Sequence, residues 1–142
     1  MIKKQMLVCL ALALASTSVL EAQQTLVGTW ERQDGESSMT FSFFENGTGK
    51  WSVVVPGDHG FSDIFEFDFL VDYGTIPYRV DIMNIDHGFL ANKTMYGVFR
   101  LEGEGTMILD FEPGSRDGDG STVRPHDFTE NAITLARIHR SG

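Results

Sequence analysis

Cysteine is almost missing from the 142 residues: Cys9 stands alone. A single thiol excludes a disulfide framework and any multi-cysteine zinc or iron–sulfur centre. Basic residues are scarce as well, 11 Lys and Arg against 20 Asp and Glu, for a formal net charge of −9. A protein that grips a phosphate backbone needs clustered cations, so nucleic acid is not an expected partner. Proline occurs four times, and no apolar run reaches the roughly 20 residues of a membrane-spanning helix. Disorder is excluded from the other side, because 42% of the residues are hydrophobic and 22% charged. The length allows one ordinary domain.

What is present begins with a leader. Lys3 and Lys4 precede an apolar run from Met6 to Ala15, and small residues follow up to Ala22. That order predicts a secretory signal peptide over residues 1–22, with an uncleaved anchor as the alternative. Cys9 falls within the apolar run, too early for a lipoprotein cysteine. The expected location is therefore exported, periplasmic or extracellular, with no membrane span once the leader is cleaved. Residues 23–142 are then the working domain, cysteine-free, with 9 basic and 19 acidic residues and a net charge of −10.

No stretch of that domain carries a helical period over three turns. Alternation of period two recurs instead and predicts eight strands. They are Leu26 to Arg32, Met39 to Phe43, Lys50 to Val55, Asp63 to Val71, Tyr78 to Met83, Met95 to Leu101, Thr106 to Phe111 and Asn131 to Ile138. Turn chemistry separates them, as in Asp34-Gly35, Asn46-Gly47, Asp86-His87-Gly88 and Glu102-Gly103-Glu104-Gly105. Eight short strands joined mostly by tight turns predict an all-β, eight-stranded antiparallel up-and-down barrel. A two-sheet sandwich is the alternative. Closure removes the exposed edges that would otherwise pair with other chains.

Two groups of residues resemble a known family. Gly28-Thr29-Trp30 matches the Gly-x-Trp signature at the start of lipocalins. Arg137 in the last strand matches the arginine that packs across that tryptophan in them, so the resemblance implies barrel closure by Gly28, Trp30 and Arg137. From Phe69-Leu70-Val71-Asp72 onward the chain also carries, in order, Pro77, Asp81-Ile82, Tyr96-Gly97-Val98-Phe99, Phe111, Pro113-Gly114, Arg124-Pro125, Asp127-Phe128 and Leu135-Ala136-Arg137. That order resembles small exported bacterial lipocalin-like domains of the planctomycete type, whose function is unassigned. The resemblance covers residues 26–140 and departs at Phe89 and in the insert Ser115 to Thr122. It implies the fold and carries no catalytic residues.

Phenylalanine is the strongest binding signal. Phe65, Phe67 and Phe69 share one face of a strand, and Phe41, Phe43, Trp51, Phe99 and Phe111 occupy other inward faces. These eight side chains could line an apolar pocket, or could equally pack the barrel solid. Other candidates are weaker. Asp117-Gly118-Asp119-Gly120-Ser121 lacks the Gly and Glu that an EF-hand loop needs at its sixth and twelfth places, and reads as a solvated loop. Asp58-His59 and Asp86-His87 could meet at one barrel mouth as a metal site or as base and orienter, though no ligand spacing supports it and both are ordinary turn residues. His126 lies in Arg124-Pro125-His126-Asp127-Phe128, which reads as a structural clamp with Phe128 capping one end. His139 carries no motif. No metal or other cofactor is expected, and there is neither a nucleophile elbow nor a Ser beside a plausible base.

The residues thus favour a binding protein over an enzyme. The first expectation is an exported lipocalin-like binder of a small apolar or amphipathic ligand. The second is an acidic exported interaction module, of inhibitor or immunity type, that meets a basic protein through its charge.

Overall fold

Period-two alternation puts the apolar side chains of each segment on one face, and closing the sheet gives those faces a single interior. The computed structural model describes residues 25–138. Eight strands follow one another in them: β1 Gly28–Asp34, β2 Ser37–Phe43, β3 Thr48–Val55, β4 Phe61–Asp72, β5 Tyr78–Met83, β6 Lys93–Glu102, β7 Thr106–Ser115 and β8 Ile133–Arg137. Each pairs antiparallel with its neighbours in sequence, and β8 returns to β1 to close the barrel. The fold is therefore the all-β, eight-stranded, lipocalin-like barrel and not the sandwich. The leader over residues 1–22, with Cys9, lies outside the described residues, as does His139. Among the described residues no helix is long and apolar enough to cross a membrane.

Strand β5 has the predicted bounds, whereas β6 and β7 run further, to Lys93 and Ser115. β7 passes through Pro113 because β8 pairs only with Thr106 to Leu109, leaving Pro113 beyond the reach of that ladder. β8 is shorter than its apolar pattern suggests. Thr129 turns the chain just before it, with Asn131 N–H donating to Thr129 Oγ1 and Ala132 N–H to Thr129 O.

The core is continuous through the lumen, with Trp30, Phe41, Phe43, Val80, Ile82, Phe99, Met107, Leu109 and Leu135 all buried. Each such side chain contributes roughly 1.5–3 kcal/mol by leaving water. Two glycines make room for rings. A Cβ on Gly97 would stand 2.5 Å from the Phe111 ring, and one on Gly49 would stand 2.5 Å from the Phe67 ring. Both sit directly opposite the ring they accommodate in the strand ladder.

The up-and-down order gives the barrel two unlike ends. At one end lie the start of β1, the end of β8 and the short turns leading into β3, β5 and β7. At the other lie the β1–β2 turn, the β3–β4 connection and the longer connections that leave β5 and β7. The β7–β8 connection runs back over the outer wall and buries the outward-facing Tyr96. Gly114 and Gly120 approach its ring, and its hydroxyl donates to Gly118 O. The Asp117 to Ser121 loop is solvated as expected, exposed at every residue but Gly120, which packs on the tyrosine. Within it, Asp119 Oδ1 accepts from Ser121 N–H at 2.9 Å, which holds that carboxyl below the usual range.

Candidate functional site

One end is sealed by backbone carbonyls and a cation. The Trp30 indole is 0% exposed and donates from Nε1 to Leu26 O at 2.8 Å. The Arg137 guanidinium stands 4.3 Å from the Trp30 ring and donates to Val27 O, Thr25 O and Glu104 O at 3.0, 3.1 and 2.8 Å. Gly28 has φ of +139°, and a Cβ there would meet Arg137 Nη1 at 2.7 Å, so only glycine leaves the arginine its place. Leu26 completes the plug, its N–H donating to the Tyr73 hydroxyl, whose pKa burial raises.

Above the plug the lumen is stacked rings. Phe41 packs parallel to Phe43 at 6.0 Å and to Trp51 at 5.4 Å, and it touches Phe111 at 6.0 Å. β2 and β7 are not neighbours, so the Phe41–Phe111 contact spans the lumen. Phe43 meets Phe67 and Phe69 edge-on, and Phe65 lies against Trp51. Of the eight aromatics singled out, Phe41, Phe43, Phe65, Phe67, Phe69 and Phe99 are buried and packed together. Trp51 and Phe111 are partly exposed.

Those last two face the second end. The β5–β6 connection folds over one half of it, burying Ile85 and Leu90 in the core. Asp86 fastens it to β4, its N–H donating to Glu66 O and its Oδ1 accepting from Glu66 N–H, both at 3.0 Å. The Glu66 amide holds the Asp86 carboxyl below its usual range. His87 then lies on the Phe65 ring, 4.7 Å between centroids. Its Nε2 is 2.9 Å from both Asp63 oxygens and its Nδ1 is 2.8 Å from Asp86 Oδ1. With both ring nitrogens engaged by carboxylates, His87 is a clamp between β4 and the β5–β6 connection. His59 is exposed on the β3–β4 connection and takes no part in this cluster. Among the described residues no group of three or more His, Cys, Asp or Glu is arranged to hold a metal ion.

The Asp63 hydrogen bond, followed by that of Asp86, raises the His87 pKa above its ordinary 6.5. A raised folded value means that the clamp contributes fully below about pH 6.5 and is lost as pH climbs through the folded pKa. The His87 ring-proton shifts in NMR should give a midpoint above 6.5, and Asp63→Asn should lower it. A wild-type midpoint at or below 6.5 would contradict the clamp.

The other half of this end is uncovered. A cleft of about 200 Å³ opens between β1, β2 and β3, with Met39, Val53 and Val55 as its apolar walls and Arg32, Asp34 and Ser37 at its rim. None of these six was singled out from the sequence, although counting in twos from Trp30 places Arg32 and Asp34 inward. Phe128 is also elsewhere than expected. It lies on the outer wall, 5.2 Å from the Arg100 guanidinium, and does not cap an end. Arg124 does clamp, donating to Gly97 O at 3.0 Å and pairing with Asp81.

Fold and ends together define a small lipocalin-like β-barrel with one sealed end and one half-covered end. Comparisons with protein-family models, with curated proteins and with solved structures find no match to this chain.

Proposed function

We propose that this is an exported protein of the small bacterial lipocalin-like kind, and that it binds a small apolar or amphipathic molecule at the uncovered half of the barrel. The observation that carries the reading is the apolar-walled cleft at the half-covered end. At the sealed end Trp30 and Leu26 are buried, while Tyr73, Tyr78 and Leu101 near it are partly exposed. At the other end the inward-facing Met39, Trp51, Phe111 and Ile133 stay partly exposed beside a cleft with apolar walls and a polar rim. That combination suits an amphipath, whose apolar part replaces water on the walls while its head stays at the rim.

Trp51 and Trp30 are the two tryptophans, one near each end, so fluorescence separates the ends. Titration with a fatty-acid and isoprenoid panel should give a saturable change that Trp51→Phe removes. No saturable change with any member of the panel would overturn the proposal.

A second reading is an acidic module for a basic protein. Phe61 and Phe89 favour it, at 57% and 83% exposed beside Asp58 and Asp86 near the same end. A partner captured at low salt and released at high salt would support it.

A further inference from the structure

We propose that the barrel carries a second binding site at the rim of its sealed end, a cleft of about 510 Å³ between the β4–β5 turn, Phe99 to Leu101 of β6 and residues 126–128, and that its ligand is a small aromatic acid. The volume falls within the roughly 300–1,000 Å³ of sites for small organic molecules. Its position is independent of the barrel mouth, since the β4–β5 turn belongs to the sealed end.

The first argument is how the cleft's outer lip is held. The chain segment 125–128 is pinned on both sides. On one side Arg124 pairs with Asp81, donates to Gly97 O and covers the Tyr96 ring at 5.3 Å. On the other, Asp110 Oδ2 accepts from both Thr129 N–H and Thr129 Oγ1 at 2.7 Å. Asp110 is 1% exposed, and its second oxygen, Oδ1, is buried with no partner among the described residues. Burying a carboxylate half-satisfied is unfavourable, and an apolar residue there would avoid it. What the carboxylate secures is the lip. A loop fixed in this way to a rigid wall is already ordered before a ligand arrives, which lowers the entropy cost of binding.

The second argument is the chemistry of the lining. Ile76 is 100% exposed and, with Pro77 and Tyr78, forms one apolar side, while the Phe128 ring forms part of the other. Apolar surfaces on both sides favour a flat aromatic body. Arg100 supplies the charge. It lies against Phe128 and spends one Nη2 contact on Glu102, at 2.8 Å, in an exposed pair of small worth. A guanidinium carries five donors in a planar fork that matches a carboxylate. The lining's own carboxylate, Asp127, has Oδ1 turned back onto the Phe128 N–H at 2.8 Å.

The test uses three probes that share a ring system and differ in charge: 2-naphthoate, 2-naphthalenemethanol and 2-naphthylmethylamine, titrated into ¹⁵N-labelled protein. The acid should produce saturating amide shifts at Thr75, Ile76, Tyr78, Arg100 and residues 126–128, and bind about tenfold more tightly than the alcohol, as one charge-assisted hydrogen bond implies. The amine should bind most weakly. Arg100→Gln should bring the acid to the level of the alcohol, and Ile76→Ser should weaken all three. Both residues are exposed, so the rest of the amide spectrum reports that the fold is retained. The proposal is overturned by absence of saturable shifts at these residues, by shifts confined to the barrel mouth, by an acid that binds no better than the alcohol, or by a preference that survives Arg100→Gln.

Discussion

Trp30→Ala is expected to cost about 4 kcal/mol of stability, read as a fall in the urea midpoint. A buried large aromatic cut back to alanine loses roughly 3–5 kcal/mol through lost burial and the cavity left behind. Here the indole also holds Leu26 O at 2.8 Å and lies beneath the Arg137 guanidinium at 4.3 Å. Its removal uncovers a carbonyl and a cation together at the sealed end. Small domains have about 5–15 kcal/mol in total, so this one change would leave the barrel near the lower limit of folding. Trp51 remains to report the transition. Trp30→Phe should cost less, because a ring survives under Arg137 while the bond to Leu26 is lost. A loss below about 1 kcal/mol in Trp30→Ala would mean that the sealed end does not depend on the indole.

The barrel was readable in the sequence because its physics is local. Period-two alternation, as in Phe65, Phe67 and Phe69, reports one inward face whatever the neighbouring strands are. Turn pairs such as Asn46-Gly47 report where the chain reverses, and Gly47 does take φ of +85° there. Gly28, Trp30 and Arg137 were readable because the resemblance joined positions more than a hundred residues apart, and β1–β8 pairing sets Trp30 directly opposite Arg137.

The site was less legible, for a physical reason in each case. Alternation shows that Trp51 and Phe111 point inward but not how deep they lie, and depth decides whether a ring is packed or presented. The sequence makes His87 look like half of a pair with His59, since both follow an aspartate in a turn. Its partner proved to be Asp63, on the inward face of a strand that the histidine reaches only because its connection folds over the end. The motif around Phe128 suggests an end cap, because nothing in a 17-residue connection between β7 and β8 shows that Arg124 and Asp110 fasten it to the outer wall.

Phe41→Ala separates a filled interior from a hollow one. The Phe41 ring lies where Phe43, Trp51 and Phe111 converge, and it is buried on every side. Its loss should cost about 3–5 kcal/mol and leave a dry apolar cavity, because the facing rings come from strands that the barrel holds apart. Such a cavity accepts a small apolar molecule, and whatever binds only the folded state raises its stability. Saturating benzene should therefore raise the Tm of Phe41→Ala and leave that of the wild type unchanged. A rise in the wild type would mean that the rings already enclose usable space, and the ligand of the barrel would then lie among them, deeper than Met39 and Val53. No rise in either would mean that the interior collapses onto the missing ring. The barrel would then hold its shape through side-chain packing more than through closure of the sheet.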